Sequence, residues 1–286
     1  MNRVSRLFIS RVAGRRFLSL RSNVKQRQFL FAGRTPVAQS KVAFMASEST
    51  PLEIHSWRRA YMNAERPYLL EAEMPSKDPF LFFDAWFRNV ASKTDLSFEE
   101  VNAVALATSD KNGQPSCRMV LLKAYDKVGF SFYTNYCSKK GLDMEANPKA
   151  AMLFFWPSVH WQVRIEGVVE KLPLAAADEY WFKRPIDSRI GSSVSEQSAV
   201  VPSRDYLNAR ANELRQSVQE HDPKTAVPRP AHWGGYVLIP REFEFWQGQS
   251  DRLHDRIRFR RSDDGQPNTE HTHTGDNGWV YERLAP

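Results

Sequence analysis

Short runs with apolar residues at every second position dominate the chain beyond residue 100, and this period predicts β-strands with one buried face. The first two runs, VNAVALAT and SCRMVLLKAY, flank DKNGQP, in which Asn112 and Gly113 predict a tight turn between antiparallel strands. The period continues in FSFYTN, AAMLFFW, HWQVRIEGVVEKL, WGGYVLIP, EFEFWQG, RIRFRR and GWVYERL. We therefore expect an antiparallel sheet of many short strands.

Four other runs repeat their apolar residues at helical spacing. The clearest is DPFLFFDAWFRNVASK, because Asp78 as N-cap followed by proline is a strong helix start. SKKGLDMEANP, PLAAADEYWFKRP and SRDYLNARANELRQSVQE predict three more helices, and a short helical pattern surrounds Trp57 to Glu65. DDGQPNTEHTHTGDNG predicts a loop. Many antiparallel strands with a few inserted helices favour a mainly β fold, a β-barrel that carries peripheral α-helices.

The net charge of +7 comes from one end of the chain. Residues 1–47 hold ten Arg or Lys and neither Asp nor Glu, which leaves 30 basic and 33 acidic residues for the rest. This tail interleaves Arg with Leu, Phe, Ile and Val, a composition typical of a mitochondrial transit peptide. The alternative is a disordered basic extension that translation from Met45 bypasses, which would leave the protein cytoplasmic. We expect a targeting segment over residues 1–50 and a globular domain over residues 51–286.

Composition also bears on membrane, nucleic-acid, disulfide and metal chemistry. No run approaches 18 apolar residues, so we expect no membrane span, and the body lacks the basic excess of a nucleic-acid binder. Two cysteines, Cys117 and Cys137, do not form a disulfide framework in a chain of this length, and the apolar pattern around Cys117 predicts a core position. His271 and His273 have no further ligand at metal-binding spacing, so we expect no metal.

Any phosphate must be bound by side chains and loop amides, because the chain contains neither GxGxxG nor GxxxxGK[ST]. Ser138, Lys139 and Lys140 stand at a strand-to-helix junction, where a helix N-terminus adds free N–H groups to two ammonium groups. The alternative for this lysine pair is a solvated helix start. Arg118 and Lys123 form a second cluster. Their odd spacing predicts opposite faces of a regular strand, which would let one strand serve two ligands or two rims.

The stretch WQGQSDRLHDR, from Trp246 to Arg256, places cations beside apolar and aromatic residues. If Arg252 to Arg256 is extended, then Arg252, His254 and Arg256 share one face. Two fixed positive charges and one titratable imidazole suit an anionic, planar ligand. The alternative is a solvated edge strand with surface charges. The preceding EFEFWQGQ is apolar and aromatic, which favours a position next to the core.

The same stretch, together with SCRMVLLK and the C-terminal WVYERLAP, closely resembles the pyridoxine/pyridoxamine 5'-phosphate oxidases. YTNYCSKKG, QVRIEG, RPIDSRIG, SEQS and WGGYVL match as well, and all these motifs follow the family's order from about residue 57 to the C-terminus. The resemblance implies a Greek-key split β-barrel that binds FMN and works as a homodimer, with FMN sites at the subunit interface. Residues 51–286 would then be the FMN-binding oxidase domain.

The resemblance also implies which residues form the site. Those that match the family's FMN ligands are Arg118, Met119, Val120, Leu121, Tyr133, Thr134, Lys139, Lys140, Gln162, Gln197, Ser198, Trp246 and Arg256. Those that match its substrate-binding residues are Lys123, Tyr180, Arg184, Ser188, Arg252, Leu253 and His254, with Arg58 and Tyr61 on a segment that closes over the site. Many members carry Arg where this chain has Lys139, which keeps the charge but loses the bidentate fork.

The implied reaction converts pyridoxine 5'-phosphate or pyridoxamine 5'-phosphate to pyridoxal 5'-phosphate, with dioxygen as acceptor and hydrogen peroxide as product. Lys123 and Arg184 would supply charge for the substrate phosphate. Tyr180 and Arg184 are four residues apart on a predicted helix and can converge, although such spacing alone usually marks a surface pair. Arg252 and His254 are the catalytic candidates. They would orient the reacting carbon, and His254 is also a candidate proton acceptor.

Two other functions stay open at this point. A protein of the same fold that carries FMN or pyridoxal phosphate without turnover is one alternative, although a carrier would not need Lys123, Arg184, Arg252 and His254 together. A nucleic-acid or membrane-surface binder is the other, and it rests only on residues 1–47.

Overall fold

The computed structural model of this protein describes residues 60–61, 68–93, 100–261 and 269–286. Arg58 and almost all of the helical pattern predicted around Trp57 to Glu65 lie outside these ranges. The described residues belong to a compact unit that begins at Trp57.

Ten strands and six α-helices make up this part of the chain. The strands are β1 (Ala103–Ser109), β2 (Pro115–Leu121), β3 (Ala124–Tyr125), β4 (Phe130–Asn135), β5 (Lys149–Trp156), β6 (Trp161–Lys171), β7 (Trp233–Gln247), β8 (Asp255–Arg261), β9 (His273–Thr274) and β10 (Trp279–Arg283). The helices are α1 (Pro79–Ser92), α2 (Lys139–Ala146), α3 (Leu174–Lys183), α4 (Ile186–Val194), α5 (Arg204–Glu220) and α6 (Pro223–Ala226), with a short 3-10 helix at Glu71–Glu73. Within the described ranges, no helix has the length and apolar character that crossing a membrane requires.

The strands form an antiparallel sheet that divides at β7. Along its main path the order is β2-β1-β5-β6-β7-β8-β10-β9. One edge of β7 pairs with β6 along most of its length, while the other edge pairs first with β4 and then with β8. This arrangement confirms the predicted antiparallel, mainly β architecture.

The continuous strand β7 corrects the prediction of two separate strands, WGGYVLIP and EFEFWQG. It runs through Pro240, where its register against β6 shifts between Glu166 and Gly167. Arg241 is the extra residue of this β-bulge, and a bulge tolerates Pro240 because proline has no N–H to donate to the ladder. A Cβ at Gly167 would stand 2.0 Å from the carbonyl oxygen of Ile239, so only glycine permits the close approach here.

Helix α1 packs against the inner face of the sheet and fills it with aromatic rings. Phe82 and Phe83 are fully buried, and the Phe82 ring stacks on Phe245 of β7 with 4.0 Å between the ring centroids. The helix begins as predicted, because the Asp78 carboxylate accepts a hydrogen bond from the N–H of Phe80 and Pro79 follows the cap. The main core thus joins α1 to both branches of the sheet.

A second, smaller apolar cluster joins α3, α4 and α6 to the start of β7. Its buried residues are Trp181, Ile190, Val227 and Trp233. Helix α3 ends before Pro185, as predicted, but α4 begins directly after the same proline and was not predicted. Gly191 and the two serines that follow it lower the helix propensity of this segment, so local signals alone did not reveal it.

Cys117 is exposed, which corrects the prediction that it belongs to the core. Its neighbours Arg118 and Val120 pair with the buried Leu106 and Val104 of β1, so they take the inner face of β2. The side chain of Cys117 projects to the opposite face because successive residues of a strand alternate.

Candidate active site

A cavity of about 440 Å³ lies between β2, β4 and the helices α2 to α4, and it gathers most of the sequence-predicted site residues. We call it the basic cavity. Its predicted residues are Arg118, Met119, Val120, Leu121, Lys123, Tyr133, Thr134, Lys140, Tyr180, Arg184, Ser188 and Gln197. Four of them are cations, so the cavity suits a ligand with more than one anionic group.

Lys140 is the residue of the basic cavity whose surroundings most strongly indicate an anion-binding site. The residue is only 8% exposed. Its Nζ donates to Thr134 Oγ1 (3.2 Å), Ser138 Oγ (3.2 Å) and Gln197 Oε1 (3.1 Å), which are all neutral oxygens. Burial, with a smaller contribution from the nearby Arg118, lowers the pKa of Lys140 from 10.5 to about 8. A buried ammonium group whose bonded partners are neutral oxygens is poised to bind an anion.

Asp143 of α2 connects Arg118 of the basic cavity to one further cation, Lys139. The buried carboxylate accepts hydrogen bonds from Lys139 Nζ (3.1 and 3.3 Å) and from Thr108 Oγ1 (2.8 Å), and it lies 3.7 Å from the Arg118 guanidinium. The backbone N–H of Lys139, at the start of α2, donates to Ser198 Oγ. Lys139 and Ser198 line a neighbouring cavity of about 580 Å³, which shares Gln197 with the basic cavity.

Aromatic rings form one wall of the basic cavity. Tyr133 stacks on Tyr180 with 4.2 Å between centroids and on Trp233 with 5.4 Å. The Arg184 guanidinium lies 4.8 Å from the centroid of the Trp233 ring, and its NH1 donates to Ser192 Oγ. Tyr180 and Arg184 therefore converge, as their spacing on α3 predicts. Trp233 is a cavity residue that the sequence analysis did not identify as part of the site.

The positions of Arg118 and Lys123 correct the expectation that they serve opposite faces of one strand. Both line the basic cavity. Strand β2 ends at Leu121, and the N–H of Lys123 bonds instead to the Ser131 carbonyl at the start of β4. The chain thus leaves the strand before Lys123, and the alternation of faces no longer applies. Strand β2 also terminates the sheet order, so its outer edge has N–H and C=O groups available to a ligand.

Three further predicted cofactor residues lie side by side on β6, β7 and β8. Gln162 pairs with Trp246, and Trp246 pairs with Arg256, so the three side chains project from one face of the sheet. We call them the β-row. None of these three is among the described residues that line the basic cavity.

The loop before β8 corrects the expectation of an extended Arg252 to Arg256. Arg252 has a φ of +73°, and β8 begins only at Asp255. Arg252, His254 and Arg256 therefore do not share the face of a strand, and only Arg256 belongs to the β-row. His254 instead packs near the β-row, with 4.9 Å between its centroid and that of Trp246, and Leu253 is largely exposed.

Tyr61 covers this second group of residues. Its ring lies 4.7 Å from His160, 5.9 Å from His254 and 6.0 Å from Trp246, measured between centroids. Ser250 Oγ donates a hydrogen bond to the Tyr61 carbonyl. This position agrees with a segment that closes over the site, and the role of Tyr61 stays a prediction.

The structure also identifies two buried carboxylates whose contacts with site cations were not predicted. Asp143 contacts Lys139 and Arg118, and Glu244 contacts Arg256. An acidic residue within the apolar run EFEFW is the one signal in the sequence that could have indicated Glu244, because a charge inside a core strand needs a partner. Asp143 lies on a polar helix, where nothing distinguishes it from a solvated residue.

Two family models together match more than half of the chain. The pyridoxamine 5'-phosphate oxidase model matches residues 93–217, and the pyridoxine 5'-phosphate oxidase C-terminal dimerisation region matches residues 233–286. A putative pyridoxamine 5'-phosphate oxidase of Caenorhabditis elegans is 54% identical over 240 residues, which are 84% of this chain and 100% of the relative. The pyridoxine-5'-phosphate oxidase of Bos taurus is 44% identical over 244 residues, 85% of this chain and 91% of the relative.

Solved structures show the same fold. PhzG from Burkholderia lata 383, in complex with tetrahydrophenazine-1-carboxylic acid, aligns with a TM-score of 0.65 at 30% identity, over 77% of this chain and 98% of that one. An FMN-binding, pyridoxamine 5'-phosphate oxidase-related protein from Nostoc punctiforme PCC 73102 aligns with a TM-score of 0.54 at 15% identity, over 71% and 97%. The second likeness supports the split-barrel fold alone. Together with the sequence matches, these comparisons show that the chain belongs to the pyridoxine/pyridoxamine 5'-phosphate oxidase family.

Proposed function

We propose that this chain is an FMN-dependent oxidase that converts pyridoxine 5'-phosphate or pyridoxamine 5'-phosphate to pyridoxal 5'-phosphate. The observation that carries the proposal is the buried Lys140 ammonium, bonded to neutral oxygens in a cavity with three further cations. FMN and the substrate each bear a phosphate, so a cavity of this charge fits the pair. The membership of the chain in the pyridoxine/pyridoxamine 5'-phosphate oxidase family supports oxidation as the reaction.

The residues present fit FMN. Lys140, Lys139 and Arg118, with the hydroxyl of Ser198, would hold the phosphate. The two lysines supply one buried and one exposed cation at the start of α2, and Arg118 approaches the same helix from β2. The free edge of β2 from Arg118 to Leu121, together with Tyr133, Thr134 and Gln197, would contact the rest of the cofactor. When bound, FMN supplies the acceptor for a hydride from the substrate and the group that dioxygen reoxidises to give hydrogen peroxide.

We further propose that the site is completed by a second copy of the chain. The β-row of Gln162, Trp246 and Arg256 lies apart from the residues that line the basic cavity, although all three match cofactor ligands of the family. A homodimer that sets the β-row of one protomer against the basic cavity of its partner would unite them. The match of residues 233–286, which include Trp246 and Arg256, to a dimerisation region supports this arrangement.

Substrate would bind beside the cofactor through its own phosphate. Lys123 and Arg184 supply positive charge, and Tyr180 and Ser188 supply hydroxyl donors from α3 and α4. Arg252, Leu253 and His254 would orient the pyridine ring from the loop before β8. Tyr61, and Arg58 outside the described residues, would belong to the segment that excludes water from the closed site.

The side chains of this protein would contribute to the reaction by orienting the substrate and by hydrogen bonding to the group that loses a proton. An alcohol substrate loses a hydride from C4' and the hydroxyl proton, which gives the aldehyde. An amine substrate loses the same hydride and a proton to give an imine, which water hydrolyses to the aldehyde and ammonia. Arg252 and His254 would hold the C4' hydroxyl or amine in place while the C4' hydrogen leaves.

A visible absorption spectrum of the purified protein tests this function directly. We expect a flavin spectrum that bleaches when pyridoxine 5'-phosphate is added without oxygen and returns with air. A flavin spectrum that stays unbleached would indicate a carrier or a different substrate. Absence of flavin even after incubation with FMN would refute the proposal.

A complementation experiment tests the shared site. We expect Lys140→Met and Arg256→Ala homodimers both to bind FMN weakly, because each has the same defect in both sites. A heterodimer of the two, isolated through two different affinity tags, would have one intact site and one doubly defective site. It should bind about one FMN per dimer. If Lys140 and Arg256 belonged to the same protomer's site, the heterodimer would show no recovery.

We also propose that residues 1–50 act as a mitochondrial targeting segment and that residues 51–286 form the catalytic domain. The support is the acid-free, Arg-rich composition of the tail. Fusion of residues 1–50 to a fluorescent protein should direct it to mitochondria. Initiation at Met45 should give a cytoplasmic enzyme with full FMN content, and loss of FMN in that shorter protein would show that the tail belongs to the site.

A further inference from the structure

Glu244 is a buried carboxylate held between two arginines on the β-row face of the sheet. It lies on β7, two residues before Trp246, and is 7% exposed. Arg256 of β8 approaches it in a bidentate manner, with Nε 2.8 Å from Oε1 and NH2 3.0 Å from Oε2. Arg164 of β6 donates to the same Oε2 at 2.6 Å. Glu244 therefore connects the three strands on which the β-row stands.

These contacts restrain most of the Arg256 side chain. Its NH1 donates to the Ala285 carbonyl at 2.7 Å, so Nε, NH1 and NH2 each have a partner within the chain. A guanidinium group has five N–H donors, and two of these five remain for a ligand. The remaining donors point in a direction that Glu244 sets, because a bidentate pair fixes the plane of the guanidinium.

The charges of Glu244, Arg256 and Arg164 matter as well as the geometry of their contacts. Burial alone would raise the pKa of Glu244, but hydrogen bonds from Arg256 and Arg164 outweigh it and lower the pKa below the ordinary glutamate value. Glu244 therefore stays ionised at neutral pH. Arg164 also pairs with Glu166 and Glu242, so the charge of Glu244 is the one that compensates Arg256 beside Trp246.

We propose that Glu244 is a positioning residue for the cofactor: it fixes the Arg256 guanidinium in the β-row and partly compensates its charge. This inference rests on the proposed FMN function. Glu244 does not have to touch FMN, since it acts through Arg256. Two separable effects follow, one on FMN affinity through geometry and one on the reduction potential of bound FMN through charge.

The same sheet contains a matched control. Glu282 of β10 accepts hydrogen bonds from Arg258 and from Arg260 (3.2 Å to Nε), so it is also a largely buried carboxylate between two arginines. Neither of these arginines belongs to the β-row. Glu282→Gln therefore removes an equivalent charge network without touching Arg256.

The test compares Glu244→Gln, Glu244→Asp and Glu282→Gln with the wild type. FMN dissociation constants come from flavin fluorescence with the apoprotein, and reduction potentials come from equilibration with a reference dye. Glu244→Gln should weaken FMN binding about tenfold, the effect of losing one charged hydrogen bond, and should shift the potential to a more positive value because local positive charge stabilises reduced flavin. Glu244→Asp keeps the charge and loses the bidentate reach, so binding should weaken without that shift.

Glu282→Gln should bind FMN within twofold of the wild type and keep its potential. The inference is overturned if Glu244→Gln retains wild-type FMN affinity and potential, or if Glu282→Gln has the same effects. If Glu244→Gln does not fold, wild-type FMN affinity in Glu244→Asp overturns it alone. A wild-type protein that takes up no FMN would instead refute the proposed function, an outcome distinct from a wild type that binds FMN and a Glu244 variant that binds it equally well.

Discussion

The backbone N–H of Gln249 donates a hydrogen bond of 2.9 Å to Nδ1 of His254. Because Nδ1 accepts this bond, a neutral His254 must carry its proton on Nε2, where it is a hydrogen-bond donor. Burial and then the positive charge of Arg252 lower the pKa of His254 below its ordinary 6.5, which keeps the ring neutral at physiological pH. The geometry favours His254 as a donor that orients the substrate over His254 as the group that takes its proton.

This tautomer predicts that kcat declines at low pH. The folded pKa of His254 lies below the unfolded value, so its contribution to stability is present above about pH 6.5 and is lost as pH falls through the folded pKa. Protonation of Nδ1 breaks the bond to Gln249, and kcat should fall with an apparent pKa below 6.5. In His254→Asn the amide oxygen can still accept from Gln249, so this decline should disappear while kcat falls about tenfold to a hundredfold. The substrate phosphate titrates in the same pH range, so the effect of His254 must be read from the difference between the wild type and His254→Asn. A decline of kcat at low pH that is unchanged in His254→Asn would contradict the assignment.

Lys140→Met should uncouple FMN binding from folding. The substitution removes a buried charge, so the apoprotein should be at least as stable as the wild type, while FMN affinity should drop by about a hundredfold or more. Lys139→Met is the matched comparison, because Lys139 has a side chain 51% exposed and is already paired with Asp143. We expect its FMN affinity to drop tenfold at most. Equal losses in the two variants, measured by flavin fluorescence, would argue against Lys140 as the principal anion ligand.

FMN affinity should also depend on pH through Lys140. Its pKa of about 8 in the unliganded protein means that the ammonium form declines above that pH, while a bound phosphate requires it. The dissociation constant should therefore rise about tenfold per pH unit above pH 8, with proton uptake on binding. The stability of the apoprotein should rise over the same range up to about 10.5, because the unfolded chain there binds more protons. Lys140→Met should show neither dependence, and a steep pH dependence in that variant would assign the titration to another group.

Arg184→Lys should act on substrate binding rather than on turnover. Lysine keeps the charge but cannot stack on Trp233 or donate through a planar fork to Ser192 and a phosphate. We expect KM for pyridoxine 5'-phosphate to rise about tenfold with kcat nearly unchanged, the signature of lost uniform binding. Lys183→Ala is the control, since Lys183 is exposed and pairs with Glu179 one turn earlier. A fall in kcat without a change in KM would place Arg184 in the chemical step instead.

Phe82→Ala should be among the most destabilising changes in α1. The side chain is fully buried and stacks on Phe245, so its removal leaves a cavity that costs about 3–5 kcal/mol. Leu81→Ala, one position earlier in the same helix, removes a side chain that is 60% exposed and should cost well under 1 kcal/mol. Urea unfolding of both variants measures the difference, and similar midpoints would show that α1 does not anchor the core.

Local signals explain which elements could be predicted from the sequence. The cap at Asp78, the turn at Gly113 and the proline after α3 each act within a few residues, and the structure has a helix, a turn and a helix end at these places. The continuity of β7 could not be predicted in this way. Whether Pro240 ends a strand or occupies a bulge depends on the register of β6, which is a long-range property.

The same distinction between local signals and long-range pairing applies to the candidate site. Motif resemblance predicted the residues, but their grouping into the basic cavity and the β-row follows from strand order and register. A shared face for Arg252, His254 and Arg256 requires an extended backbone, whereas Arg252 has a φ of +73° that no local sequence pattern indicates. The sequence did not indicate that Trp233 and Glu244 belong near the candidate site, because this depends on their neighbours in space. An aromatic or acidic residue in an apolar strand shows its function only when its neighbours in space are known.

Under the proposed function, retention of FMN by the β-row depends directly on the pairing of its three strands. Its three side chains come from three strands, and a slip of one residue in any of them would turn that strand's contribution to the other side of the sheet. A substitution far from FMN that loosens the β6-β7-β8 ladder would then first appear as a colourless protein with normal secondary structure. The yellow colour of a preparation would report the fraction of molecules whose strands are in register, and excess FMN during expression would rescue such variants by favouring the paired state.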